Sequence, residues 1–278
     1  MDEQHLVSRK QEALAWFKQL QHLLTERLEQ LEIHPEGHFE WQSWTRPGGG
    51  GGTMALLRGE TFEKAGVNVS EVHGTLSPAF AREIPGASED PSFWAAGISV
   101  VVHPRNPQVP AAHMNTRLMI TRQSWWGGGG DLTPMAPHGN PEDVRLFHGA
   151  LQAACDRFDK DWYARFKAQC DAYFYIPHRD EIRGAGGIFY DQHNNQDWAK
   201  DFEFSRAVGM AFHDAYADIV TRNRERPYTG EDREYQLFRR GRYAEFNLVY
   251  DRGTRFGLQT SGNIDAILMS LPPLASWA

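Results

Sequence analysis

The chain opens on a helical rhythm. Leu14, Phe17, Leu20, Leu24, Leu28 and Leu31 recur at intervals of three and four with Lys, Gln and Glu between them, which predicts one amphipathic helix over Asp2–Ile33. The stripe is too short for a long zipper. Residues 1–34 are therefore expected to form an N-terminal helix packed on the main domain, residues 35–278. After His34-Pro35 the period changes. Phe39–Arg46, Met54–Arg58, Val67–His73, Ile98–His103, His113–Thr121 and Ser124–Trp126 are short β-branched or aromatic stretches parted by Gly and Pro. Strands that follow one another without intervening helices predict an antiparallel sheet. Asn140-Pro141-Glu142-Asp143 reads as an N-cap with Pro at the first helical position, opening a helix that runs to about Tyr173. Beyond it, Ile188–Asp191 reads as a strand and Asp197–Arg224 and Glu231–Arg239 as helices. Tyr243–Asp251 and Arg255–Thr260 read as strands again, and Ile264–Leu271 is ambiguous. The fold expected is α+β, a single domain with a large antiparallel sheet of about seven strands covered on its faces by α-helices.

Composition narrows the function classes. The 278 residues include nine Trp, nine Tyr and sixteen Phe, enough to build a full core without staples. With 29 basic against 36 acidic residues the net charge is -7, which argues against nucleic acid as a partner. An anionic ligand must then be met by a local cluster of Arg. Cys155 and Cys170, on one continuous helix, would lie ~22 Å apart, too far for a disulfide. The start MDEQHLVSRKQEAL lacks the apolar stretch of a signal peptide, and no apolar run approaches the ~20 residues of a membrane span. A soluble, cytoplasmic protein is expected.

Two glycine runs, Gly48–Gly52 and Gly127–Gly130, invite a nucleotide reading that the flanking residues reject. A phosphate loop leads into a helix through Lys and Ser/Thr, whereas these runs lead into the strand-like Thr53-Met54 and Asp131-Leu132. Better readings are a loop at a pocket mouth, or a backbone that passes close to a ligand or another strand.

Polar residues stand where a strand face would carry a core. In His113-Met-Asn-Thr-Arg, alternation turns His113, Asn115 and Arg117 one way and Met114, Thr116 and Leu118 the other. One strand earlier, Ser99, Val101 and His103 share a face. An imidazole, a carboxamide and a guanidinium in a row suit a cleft wall at least as well as a solvated surface. His148 falls on an inward stripe with Val144, Leu151 and Cys155, and His178 sits in a turn past a helix. The spacing of the four histidines is not that of a compact zinc motif. Read as a strand, Tyr243–Asp251 carries Tyr243, Glu245, Asn247 and Asp251 on one face. Asp251-Arg252-Gly253-Thr254 then forms a tight turn with Gly253 free to take positive φ.

Several long stretches together resemble the oxygen-dependent coproporphyrinogen III oxidase family. They are Ser99-Val-Val-Val-His-Pro-Arg-Asn-Pro, His113-Met-Asn-Thr-Arg, Trp125-Trp-Gly-Gly-Gly-Gly-Asp-Leu-Thr-Pro, Lys167 through Gly187, Leu237 through Thr254, and Ile267-Leu-Met-Ser-Leu-Pro-Pro. The likeness runs in order from about Phe39 to Trp277. It implies two oxidative decarboxylations that turn two propionates of coproporphyrinogen III into vinyl groups, giving protoporphyrinogen IX in haem synthesis. Dioxygen is the co-substrate, with no flavin, nicotinamide or haem, and the fold implied is a homodimer around a flat antiparallel sheet. The resemblance assigns His113 as proton donor and Asp251 as the carboxylate that holds the pyrrole N–H groups. Substrate contacts implied are Ser99, Asn115, Thr116, Arg117, Arg252, Ser261, Gly262 and Asn263. His103, His113, His148 and His178 match four histidines assigned in bacterial relatives to a divalent metal cation. One departure is visible: many relatives carry Gly-Gly-Arg where this chain has Ser261-Gly262-Asn263. Asn263 offers only a neutral hydrogen bond there, so Arg252 or Arg255 becomes the candidate for the missing carboxylate grip. A metal-dependent oxygenase on another aromatic acid and a non-catalytic tetrapyrrole-binding protein use the same residue types. Chelation and carbon dioxide release separate them.

Overall fold

The computed structural model describes residues 3–34, 37–137, 139–259 and 262–277. Helix α1 (Glu3–Gln30) comes first, followed by strands β1 (Glu40–Thr45), β2 (Gly50–Leu57) and β3 (Phe62–Thr75). A short helix α2 (Pro78–Glu83) precedes β4 (Ser92–Pro104), β5 (Ala111–Ile120) and β6 (Ser124–Thr133). Next come α3 (Pro141–Asp156), α4 (Trp162–Tyr173), the small hairpin β7 (Tyr175–Ile176) and β8 (Glu181–Ile182), and β9 (Gly186–His193). The chain then turns helical as α5 (Trp198–Asn223), α6 (Gly230–Val249), α7 (Arg252–Gln259) and α8 (Ile264–Leu268). Among the described residues, seven strands pair antiparallel in the order β1-β2-β3-β4-β5-β6-β9, the α+β sheet expected.

The two faces of this sheet are built differently. One face presents Val67 and Val69 from β3, Ile98 and Val100 from β4, Met114 and Leu118 from β5, and Ile188 and Tyr190 from β9. They pack with Phe17, Leu20 and Leu24 of α1, Phe147 and Leu151 of α3, and Phe204, Val208 and Phe212 of α5 into one continuous core. Gln21 of α1 donates to the carbonyls of Thr53 and Val67, fixing that helix over β2 and β3. The opposite face carries the polar row and lies under α6, α7, α8 and the chain that follows them. Three side chains strap this last segment down: Asn68 donates to the Ala266 carbonyl at 2.7 Å, His103 to that of Ser270 at 2.9 Å and Lys64 to that of Leu271 at 2.9 Å.

Three expectations for the second half of the chain are corrected. The helix begun at Asn140, whose side chain accepts from the Glu142 N–H at 3.0 Å, stops at Asp156. Asp159 and Asp161 form a turn before α4, so Cys155 and Cys170 lie on two helices. Both are buried and free. Tyr243–Asp251 is not a strand: Tyr243–Val249 is the last part of α6, Tyr250 its C-cap, and Asp251 precedes α7. Thr229 and Asp232 form a capping box at the start of α6, and its buried residues Gln236, Arg240, Tyr243 and Asn247 follow the helical repeat. The exposed Leu248 and Val249 gave that segment its strand-like look. Arg255–Thr260 is likewise helical as far as Gln259, and Thr260 lies outside the described residues. Gly253 accordingly sits in the first turn of α7 instead of in a tight turn with positive φ.

Candidate active site

The site grows out of strand register. Ser99 on β4 stands between Asn68 on β3 and Asn115 on β5, while Gly97 pairs with Arg117 and Val101 with His113. His113, Asn115 and Arg117 therefore project from the polar face in one line, each half-buried, as alternation predicted. On the next strand Asp131 pairs with His113 and Gly127 with Arg117.

Hydrogen bonds, with one ion pair between Asp191 and Arg252, run along this line. Asn247 of α6 accepts from Arg183 Nη1 at 2.8 Å, and Arg183 Nη2 reaches Asp131 Oδ2 at 2.6 Å, both inside the protein. Asp131 Oδ1 lies 2.9 Å from His113 Nδ1. Burial pushes the Asp131 carboxyl up, but the Arg183 guanidinium and the bond from His113 outweigh it and hold the acid below its ordinary range. An ionised Asp131 makes His113 Nδ1 the N–H donor. Nε2 is then the acceptor, 3.2 Å from the Asn115 amide nitrogen. Asn115 Oδ1 accepts in turn from Arg117 Nη1 at 3.2 Å, and Arg117 Nη2 donates to Asp191 Oδ1 at 2.8 Å. Arg252 Nη2 lies 3.3 Å from the other oxygen of Asp191. The backbone N–H of Arg252 donates to Tyr173 Oη at 3.0 Å, and Tyr173 Oη donates to Asp251 Oδ1 at 2.8 Å.

Asp251 also caps α7, accepting from the Thr254 N–H at 2.6 Å. Each of its oxygens thus takes one protein hydrogen bond and keeps acceptor capacity for another. Aromatic rings wall this end: Tyr173 stacks on Phe189 at 4.2 Å, and Arg252 lies over both rings. Burial, then the neighbouring Asp251 carboxylate, push the Tyr173 phenol up, so it stays a donor. At the other end Arg183 lies over Phe174, Tyr243 and Phe246. His113, Arg117 and Asp251 thus belong to a single polar lining. A separate cavity of about 300 Å³, bounded by Arg9, Trp125, Trp126 and Trp198 among others, involves none of these three.

The glycine run acquires a reason in the same geometry. A Cβ at Gly127 would stand 2.8 Å from Arg117 Cζ, so the guanidinium crosses β6 only because residue 127 has no side chain. The run is a place of close approach and lies wholly within β6.

A family model described as coproporphyrinogen III oxidase matches residues 12–278. The oxygen-dependent coproporphyrinogen-III oxidase of Rickettsia conorii is 51% identical over 275 residues, covering 96% of this chain and 98% of that protein. Those of Rickettsia bellii, 50% identical over 272 residues (95% and 96% covered), and Rickettsia akari, 51% over 275 (96% and 98%), match as extensively. The chain belongs to the coproporphyrinogen III oxidase family.

Against the family-implied residues the structure is selective. Ser99, His113, Asn115, Arg117, Asp251 and Arg252 share the lining just described. Thr116 does not: its side chain is fully buried on the opposite face, the face of Met114 and Leu118, so a side-chain contact from Thr116 to a ligand over the polar row is ruled out. Asn263 caps α8 by accepting from the Ala266 N–H at 2.9 Å, which gives the residue found in place of the family's Arg a local structural job. Gly262 donates its N–H to the Gly257 carbonyl at 2.9 Å, and Ser261 lies outside the described residues.

The four histidines do not converge. His103 is fully buried against Tyr243, and burial and Arg240 drive its pKa down to about 3. His148 joins Tyr163 Oη at 2.9 Å and the Ala185 carbonyl at 3.1 Å, and His178 joins Tyr250 Oη at 2.7 Å and Glu245 at 2.8 Å. Among the described residues no group of three or more His, Cys, Asp or Glu is arranged to hold an ion. This donor set does not fit one divalent cation within the chain.

Sequence reasoning missed Asp131, Arg183, Asp191 and Tyr173. Asp131 and Arg183 stand inside the stretches that carry the family likeness, and a buried charge needs a partner. The polar row ending at His113 was therefore the available signal for Asp131.

Proposed function

We propose that this chain catalyses the oxygen-dependent conversion of coproporphyrinogen III to protoporphyrinogen IX, a step of haem synthesis. Each of two propionates loses carbon dioxide and one proton and becomes a vinyl group. The two electrons released reduce dioxygen. The observation that carries this reading is the continuous row of His113, Asn115, Arg117, Asp191 and Arg252, closed by Tyr173 and Asp251, on one sheet face of a chain from this family.

Each residue has a task the geometry permits. Arg117 and Arg252 offer forked donors to propionate carboxylates. Asp251, held by Tyr173 and the start of α7, accepts from pyrrole N–H groups and polarises the macrocycle toward dioxygen. Ser99 and Asn115 add neutral hydrogen bonds. His113, with Asp131 holding Nδ1–H, presents Nε2 to take up or return a proton beside the reacting side chain. A homodimer and a cytoplasmic location belong to the same proposal, on the strength of the family likeness. No helix among the described residues is long and apolar enough to cross a membrane.

The deciding experiment is anaerobic and then aerobic incubation with coproporphyrinogen III after exhaustive chelation, following carbon dioxide and vinyl product. The expected result is no product without oxygen and two carbon dioxide molecules per macrocycle with it. Tight binding without carbon dioxide release would replace this reading with a carrier. No turnover of coproporphyrinogen III, with chelation-sensitive oxidation of another aromatic acid, would replace it with a metal-dependent oxygenase.

A further inference from the structure

The carboxylate between the two guanidinium groups is not used by the chemistry above. Asp191 sits at a bulge: Trp126 pairs with His193 and Gly128 with Tyr190, so Asp191 and Gln192 together oppose Gly127. Gln192 takes φ 52, the left-handed turn that lets the strand re-aim Asp191 across the sheet. The missing side chain at Gly127 opens the path along which Arg117 arrives. Asp191 Oδ1 accepts from Arg117 Nη2 at 2.8 Å and from the Gln192 N–H at 3.1 Å, while Oδ2 stands 3.3 Å from Arg252 Nη2. Arg117 comes from mid-sheet and Arg252 from the first turn of a helix, so no local structure ties them together. Both remain partly open to solvent, with side-chain exposures of 36% and 56%. Two cations and one anion leave a net charge of one positive, matched to one incoming carboxylate.

We infer that Asp191 is a positioning residue that gathers Arg117 and Arg252 into one receptor for a single propionate. The inference rests on the proposed role of those two arginines as carboxylate contacts. Without Asp191 the two guanidiniums repel each other, and each must be oriented by the substrate at the substrate's cost. The loss then falls on binding and leaves the chemical step alone.

A double-mutant cycle on the intact protein with coproporphyrinogen III as substrate tests this. D191A should raise KM ~10-fold with kcat changed less than ~3-fold. R117A should raise KM at least as much, and R117A/D191A no more than R117A alone. D191N, which keeps an oxygen for Arg117 but not the charge, should fall between wild type and D191A and guards against a folding defect in the alanine variant. An unchanged or lowered KM in both Asp191 variants overturns the inference, the lowered value marking Asp191 as a competitor for the seat. Effects of D191A and R117A that multiply in the double variant overturn it as well. If R117A leaves KM untouched, it is the role given to Arg117 that fails, whatever Asp191 does.

Discussion

The two faces of the central sheet solve opposite problems. On one, Val67, Ile98, Val100, Met114 and Leu118 meet three helices in a continuous apolar core, pinned by the Gln21 bonds to the Thr53 and Val67 carbonyls. On the other, Ser99, His113, Asn115, Arg117, Asp131 and Asp191 stand at the alternate positions of the same strands, satisfied mostly by one another. The first face holds the fold by area removed from water. The second carries buried charge that contributes little to stability when complete and costs much when one member is lost. A strand here serves both at once, and alternation keeps the two apart: Thr116 is excluded from the site only because it is the neighbour of residues that are in it.

The largest way to break this contrast is Asp131→Ala. It strands the Arg183 guanidinium inside the protein and frees His113 Nδ1. Unfolding free energy should fall by about 3–5 kcal/mol in a denaturant titration, and kcat/KM by ~10²-fold or more. A loss under about 1 kcal/mol would mean the polar face is solvated after all. Leu20→Ala, beneath the opposite face, should cost about 2–5 kcal/mol while the folded fraction keeps its kcat/KM. A change in catalysis there would couple the faces.

His103 gives a pH signature. Neutral in the folded chain down to about 3 and titrating near 6.5 when unfolded, it makes unfolding take up a proton between these values. Stability from this residue is complete above pH 6.5 and declines as pH falls toward 3, by at most about 1.4 kcal/mol per unit. His103→Gln should flatten that slope. The smallest effect expected is Asn263→Ala, about 1 kcal/mol through loss of the α8 cap, read by thermal melting.

How much of this was legible in the sequence divides along the same line. The apolar face was: α1, the run of strands from β1 to β6 and α5 all follow from period and punctuation. On the polar face, the row His113, Asn115 and Arg117 was visible because its strand neighbours are apolar. Its partners were not, since Arg183, Asp191 and Tyr173 arrive from sequence positions between 52 and 78 residues away from the groups they bind. Tyr243–Asp251 misled for a physical reason. A helix end with apolar residues facing outward and polar ones inward inverts the pattern on which periodicity depends. The four histidines were grouped by the family resemblance alone, since their spacing matches no compact zinc motif. Each has its own partner in its own corner, a fact that spacing along the chain does not encode.

The two cysteines carry a last consequence. Burial pushes the Cys155 thiol up to about 12 and Cys170 higher still, so neither forms the thiolate that oxidants and alkylating reagents attack. Sulfur chemistry is thus locked away in a protein that, on the proposed chemistry, reduces dioxygen at every turnover. The lock opens only with the fold, so the rate of thiol labelling in the native protein becomes a clock for its excursions out of the folded state.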